Sequence, residues 1–287
     1  MDASQNHQIP DKVVRFSGNG GLPAVKIIAA AAEAEIYLNG AHVALYQAKG
    51  CDPLLFLSEK SHFTPGQPIR GGVPIIFPWF GGREGHPAHG TARLTQWDLT
   101  ESIELPDGSI RVSFHLPDSQ PLAVDFSVIV GPTLVMELTV SNQGETEATF
   151  ETCLHTYFQV GDIHQVQVTG LKGASYLDSL TGETHLETED SIRFTAETDR
   201  LYQNTDSTVE ILDPTMKRRI TVAKSGSLST VVWNPWIAKS QRMPDFGDDE
   251  WPHMLCVESG NVKTNAPTLD PGARSQLKVE LSCEAMG

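Results

Sequence analysis

Two side chains in this sequence are placed to exchange protons, and two others to hold an anion. His155 sits in "CLHTYFQVGDI", after an apolar run and beside Tyr157 and Phe158. Imidazole titrates near pH 6.5, so it can give or take a proton at neutrality. Glu258 ends the apolar run of "MLCVESGNV" and abuts a Ser-Gly turn. A carboxylate at the mouth of a buried strand has a perturbed pKa and can serve as a base. Arg70 opens "RGGVPIIFPWFG" and Arg93 closes "HPAHGTAR", with His86 and His89 between them. Two arginines around an irregular, aromatic-rich segment suit a pocket for a polar ligand of negative charge. Phe77, Trp79 and Phe80 offer flat apolar surface of the kind that sugar C–H faces lie against.

Each feature taken singly has a plainer account. The arginines could be surface ion-pair residues, His155 a hydrogen-bonded packing residue, and Glu258 a solvated strand end. His86 and His89 have HxxH spacing, but Pro87 breaks any regular helix between them and no Cys/His partner set accompanies them. That pair is therefore a poor candidate metal site.

The elements that would position these residues are strands. In "TLVMELTVSN", Leu134, Met136, Leu138 and Val140 fall on one face, and Val135, Glu137 and Thr139 on the other. That is the period of a half-buried strand. With "DFSVIV" before it and "ATFETCLH" after it, residues 125–155 read as an antiparallel meander. Similar short runs recur from "EIYLNGAHVALYQ" to "QLKVEL". "IIAAAAEAE" has helix formers but is short and runs into period-two sequence, so a strand and turn are expected there. "MKRR" follows the turn signal "DP" and reads as a hairpin end. In "RGGVPIIFPWFG" two prolines interrupt the apolar run, which suits neither helix nor central strand. Residues 239–254 form a long polar connection, and such loops in compact domains are usually functional or disordered. The expected fold is all-β, one large antiparallel sandwich.

Composition narrows the partners. The net charge is −15, from 36 acidic and 21 basic residues, with no basic stripe to neutralise a phosphate backbone. Nucleic acid is not an expected partner. No run reaches the length of a membrane span, and "MDASQNHQIPDK" lacks the pattern of a secretory signal, so a cytoplasmic location is expected. The four cysteines are far apart with no CxxC spacing, which reads as buried free thiols.

Six segments in order, "PIRGGVPIIFPWFG", "HGTARLTQWDL", "LHTYFQVGDI", "ETDRLYQN", "VVWNPWIAKS" with "MPDFGDDEW", and "CVESGNV", resemble the motifs of the D-hexose-6-phosphate mutarotases. These glucose-6-phosphate 1-epimerases are a branch of the aldose 1-epimerase superfamily. The resemblance implies a β-supersandwich of the galactose mutarotase type over residues 20–285, behind a polar N-terminal segment 1–19. It implies a monomeric isomerase that needs no cofactor and acts on a hexose 6-phosphate. By the same resemblance His155 is the general acid and Glu258 the general base. His89 lies near the ring oxygen, Asp199 accepts from hydroxyls, and Arg70 and Arg93 meet the phosphate. Trp233 and Lys239 lie in matching substrate-binding motifs. Ser259 stands where proline is common and Thr91 where an apolar residue is common. Two rival readings remain: a non-catalytic sugar-binding sandwich, and a mutarotase for unphosphorylated aldoses.

Overall fold

The computed structural model describes residue 9 and residues 11–286. Residues 1–8 and 10 of the polar segment 1–19 therefore fall outside the described residues, but regular structure begins at Val13, ahead of the expected boundary at residue 20. The strand Val13–Ser17 pairs with Pro23–Ile28 in a four-stranded sheet that continues through Ala32–Tyr37 to His42–Ala48. The alanine-rich "IIAAAAEAE" is the hairpin between the second and third of these strands.

Two larger antiparallel sheets, of nine and eight strands, make up most of the rest. Among the described residues the one α-helix is the five-residue Trp236–Ser240, and no helix is long and apolar enough to cross a membrane. The expected alternation holds in the nine-stranded sheet. Leu134, Met136, Leu138 and Val140 are buried, while Val135, Glu137 and Thr139 are partly exposed. "MKRR" is a hairpin end, joining Val209–Asp213 to Arg218–Ser225.

The meander over 125–155 is only two-thirds correct. Leu122–Val130 and Leu134–Asn142 do pair, but the other edge of the second strand is taken by Arg274–Ala285. The chain after Asn142 has no free edge beside it. It pairs briefly with Thr268–Leu269 and then enters the eight-stranded sheet as Thr152–Leu154. Local alternation specifies a strand, but not which edge is still vacant.

The eight-stranded sheet is covered on both faces, and its side chains sort by parity. Leu154, Phe158, Tyr202, Val232, Leu255 and Val257 point into the main core. Their neighbours Cys153, Tyr157, Leu201, Val231, Trp233 and Cys256 form a second, smaller cluster on the opposite face. The registers Asp199↔Trp233, Trp233↔Cys256 and Tyr157↔Cys256 lay one row of side chains across four strands of that face. Glu258, opposite Val231, stands in the next row.

The "RGG" segment crosses the end of this sheet and contributes only Ile75–Ile76 as an edge strand, as its prolines require. Gly71 and Gly72 have φ of 109° and 59°. A Cβ on Gly72 would lie 2.3 Å from the Val43 carbonyl oxygen and 2.6 Å from His42 Nε2. This is backbone that only glycine follows, and it sets where Arg70 emerges. Gly72→Ala should therefore cost roughly 2 kcal/mol or more in urea denaturation. Gly82→Ala, where a Cβ meets nothing within 4 Å, should leave the midpoint unchanged.

Candidate active site

Above the second face of the eight-stranded sheet lies a cavity of about 480 Å³. The eight residues that the resemblance marks as catalytic or substrate-binding all reach it. His155, Glu258, Asp199 and Trp233 rise from the sheet, Arg70, His89 and Arg93 enter from the irregular segment beside it, and Lys239 comes from the short helix. Sheet parity explains the first group. Residues 153, 155 and 157 share one face, as do 256 and 258, so the strands that bury the core on one side line the cavity on the other.

At its floor, His155 Nε2 is 3.2 Å from Glu258 Oε1. Glu258 is 2% exposed and is no solvated strand end. Burial, then the nearby charge of Asp199, push its carboxyl well above the ordinary range. Burial, then His89, Arg93 and Arg70, push the His155 imidazole well below its ordinary value. Both shifts favour the uncharged forms, so the pair is arranged to share one proton. The His155 ring stacks on Tyr157 with centroids 4.7 Å apart and planes 9° apart, and Trp233 packs edge-on against both. Its Nδ1 is buried without a side-chain or backbone partner among the described residues. On that side the ring is held in orientation by packing rather than by a hydrogen bond.

His89 forms the next wall. Its Nδ1 accepts the Gly81 N–H at 3.3 Å, which leaves the proton of the neutral ring on Nε2. Burial, then Arg93, Arg70 and Lys263, hold its pKa down to about 3, so it is a hydrogen-bond donor without charge. His89 also has φ of 63°, a conformation that non-glycine residues hold only when their surroundings impose it. Its N–H bond to the Gly81 carbonyl, 2.8 Å, is one such restraint.

The two arginines differ. Arg70 donates from Nε and Nη2 to both oxygens of Asp245 and from Nη1 to Tyr157 Oη. Although burial opposes its charge, Tyr157 and Asp245 raise its pKa further. Among the described residues Arg93 makes one bond, from Nη2 to the Ala88 carbonyl, and its buried Nε has no partner. Burial is the main cause that lowers its pKa to about 10. Of the two, Arg93 is the guanidinium with unfilled capacity. Across the cavity Lys239 Nζ lies 3.3 Å from Glu197 and 3.7 Å from Asp199, and 5.6 Å from the Trp233 ring centroid. Burial raises the Asp199 carboxyl, with Ser179 and then Lys239 opposing it.

Several expectations need correction. Of the three aromatics proposed as a sugar wall only Phe80 lines the cavity. Phe77 packs on Phe150 in the core, and Trp79 packs on His86 and Arg83. Two of the four free cysteines, Cys51 and Cys283, are only partly buried. His155, Cys256 and Glu258 bring potential metal-ligand atoms within 4.8 Å of one another, but burial keeps the thiol pKa well above its ordinary value. Metal binding needs the thiolate, so the arrangement suits proton exchange better. The sequence reading missed Asp245, Met243 and Lys263. The first two lie in the long 239–254 connection, expected to be functional or disordered, and Lys263 lies just past the strand that carries Glu258.

The aldose 1-epimerase family model matches residues 23–282. A candidate glucose-6-phosphate 1-epimerase from Cenchrus ciliaris is 36% identical over 266 residues, 87% of this chain and 80% of that one. One from Escherichia coli K12 is 37% identical over 238 residues, 79% of each chain. The crystal structure of a candidate mutarotase from Salmonella typhimurium superposes with a TM-score of 0.89 at 30% identity, covering 97% of this chain and 96% of that one. With its sheet topology, its cavity and these relatives in view, the chain belongs to the aldose 1-epimerase family.

Proposed function

We propose that the protein interconverts the α and β anomers of hexose 6-phosphates, glucose 6-phosphate foremost. The observation that carries the reading is the 3.2 Å approach of His155 Nε2 to Glu258 Oε1 on the floor of one cavity. Opening a cyclic hemiacetal requires loss of the proton on the C1 hydroxyl and arrival of one at the ring oxygen. Those two oxygens share one carbon, so the acid and the base must sit side by side. Glu258 as carboxylate takes the hydroxyl proton while His155 as imidazolium supplies the ring oxygen. The C1–O5 bond breaks and an aldehyde remains. Rotation about C1–C2 presents the other carbonyl face. Glu258, now protonated, returns its proton to the carbonyl oxygen, and His155, now neutral, takes the proton of the C5 hydroxyl as the ring closes. The enzyme ends as it began.

Burial matters to the rate because it brings the two arrangements of the shared proton closer in energy. A solvated carboxylate and imidazolium would hold their charges, whereas here burial raises Glu258 and lowers His155 towards exchange. Neutral His89 can donate to a sugar oxygen without competing for the proton. Asp199 and Lys239 form a polar pair that suits ring hydroxyls. The names of the relatives from Cenchrus ciliaris and Escherichia coli support the phosphorylated substrate, and so does the unfilled guanidinium of Arg93. A binding protein would have no use for an acid–base pair in contact.

Three outcomes test this reading. Glu258→Gln should lower kcat for α-glucose 6-phosphate, followed by polarimetry or NMR exchange, by about 10²–10⁴-fold, with KM little changed. Full activity in that variant would remove the base from the mechanism. The working pair carries one proton, and the shifts of its members widen the range over which it does so. The second proton is acquired only below the ordinary imidazole value, and the single proton is lost only above the ordinary carboxyl value. The kcat should thus show no decline as pH falls through 6.5 and fall only at lower pH, where the second proton binds. Halving at about 6.5 would indicate an unperturbed imidazole. Arg93→Ala should lower kcat/KM for glucose 6-phosphate at least tenfold more than for free glucose, by roughly the worth of a charge-assisted hydrogen bond. An equal loss on both sugars would remove Arg93 from the phosphate.

A further inference from the structure

We propose that Lys263, together with Arg93, seats the 6-phosphate and so sets the preference for phosphorylated over free sugars. The inference rests on the epimerase reading and adds a specificity residue to it.

Lys263 lines the cavity beside Phe80 and Gly81, its Nζ 4.0 Å from where a Cβ on Gly81 would lie. Its backbone is strained, with φ of 54°, and is held by one carboxylate: Glu151 accepts the Lys263 N–H at 2.6 Å and the Phe80 N–H at 2.8 Å. That clamp ties the strand end to the irregular segment. It uses main chain only, so the ammonium group is free of it. Lys263 Nζ reaches over the Phe80 carbonyl at 3.5 Å, and among the described residues no carboxylate forms an ion pair with it. Lys239, the other lysine of the cavity, is paired with two carboxylates. The cations of the cavity are thus unequally compensated. Lys239 faces Glu197 and Asp199, whereas among the described residues Lys263 is in no ion pair and Arg93 is only part-satisfied. Arg70 adds charge there but already has Asp245 and Tyr157. All three cations act on His89, which places their fields on the same part of the cavity.

An unpaired lysine costs little in water. At the rim of a cavity in a protein of charge −15 it supplies a local positive point that long-range repulsion of a dianion, screened beyond about 8 Å, does not cancel. A flexible ammonium at the rim and a planar guanidinium deeper in can contact different oxygens of one phosphate.

The experiment compares wild type, Lys263→Met and Lys263→Arg on glucose 6-phosphate and on free glucose. Binding of glucose 6-phosphate to each is measured by calorimetry at two salt concentrations. Lys263→Met should lose roughly tenfold to a hundredfold in kcat/KM and in affinity for the phosphate ester, with a weaker salt dependence. Its rate on free glucose should be unchanged, and Lys263→Arg should restore most of the loss. Equal loss on both sugars, or no loss on either, overturns the inference while wild-type turnover of glucose 6-phosphate leaves the epimerase reading intact. If wild type binds the ester, with Lys263 contributing, but does not epimerise it, the epimerase reading fails and the phosphate seat stands.

Discussion

The site depends on keeping a carboxyl group and an imidazole dry and in contact. Removing Glu258 and His155 from water penalises their charged forms, and each is pushed towards neutrality. A lone buried carboxylate would be costly, but a carboxyl group facing an imidazole at 3.2 Å can pass its proton across instead of holding a charge. The chemistry of hemiacetal opening calls for that same exchange. Tyr157 stacked on His155, with Trp233 edge-on to both, keeps water away and fixes the ring plane.

Everything around the pair serves to hold those two groups without neutralising the cavity completely. The eight-stranded sheet buries one face in the main core, and this makes its other face rigid enough to carry polar groups at set positions. Loops then add charge in compensated and uncompensated forms. Asp245 satisfies Arg70 and Glu197 partly satisfies Lys239, whereas Arg93 and Lys263 keep unmet donors. Two of the non-glycine residues facing the cavity, His89 and Lys263, have positive φ. Such strain persists only where neighbours impose it, and here Gly81 and Glu151 do so through backbone hydrogen bonds.

Where the sequence misled, the cause lay in distance along the chain. Phe77, Trp79 and Phe80 look alike as a local cluster, yet only Phe80 lines the cavity. Phe77 is drawn into the core by Phe150, more than seventy residues away, and Trp79 is turned outward onto His86 and Arg83. Residues 148–154 alternate like the strands before them, but leave for another sheet because Arg274–Ala285 occupies the edge they would have used. Arg70 and Arg93 are equivalent as letters. Asp245, which makes them unequal, lies 175 positions from Arg70.

Strand period and turn residues were determined by the sequence alone, because each depends on neighbours a few residues apart: the all-β class, the glycine-dependent "RGG" bend and the hairpin at "MKRR". The eight residues expected from the six ordered motifs all line one cavity. Which of those residues are free to bind and which are already paired was decided only by the tertiary structure. So was the parity that turns Glu258 and His155 to one face. Both follow from long-range pairing, since a strand's alternation says that two faces exist, and only its packed neighbours determine which one meets the core and which the cavity.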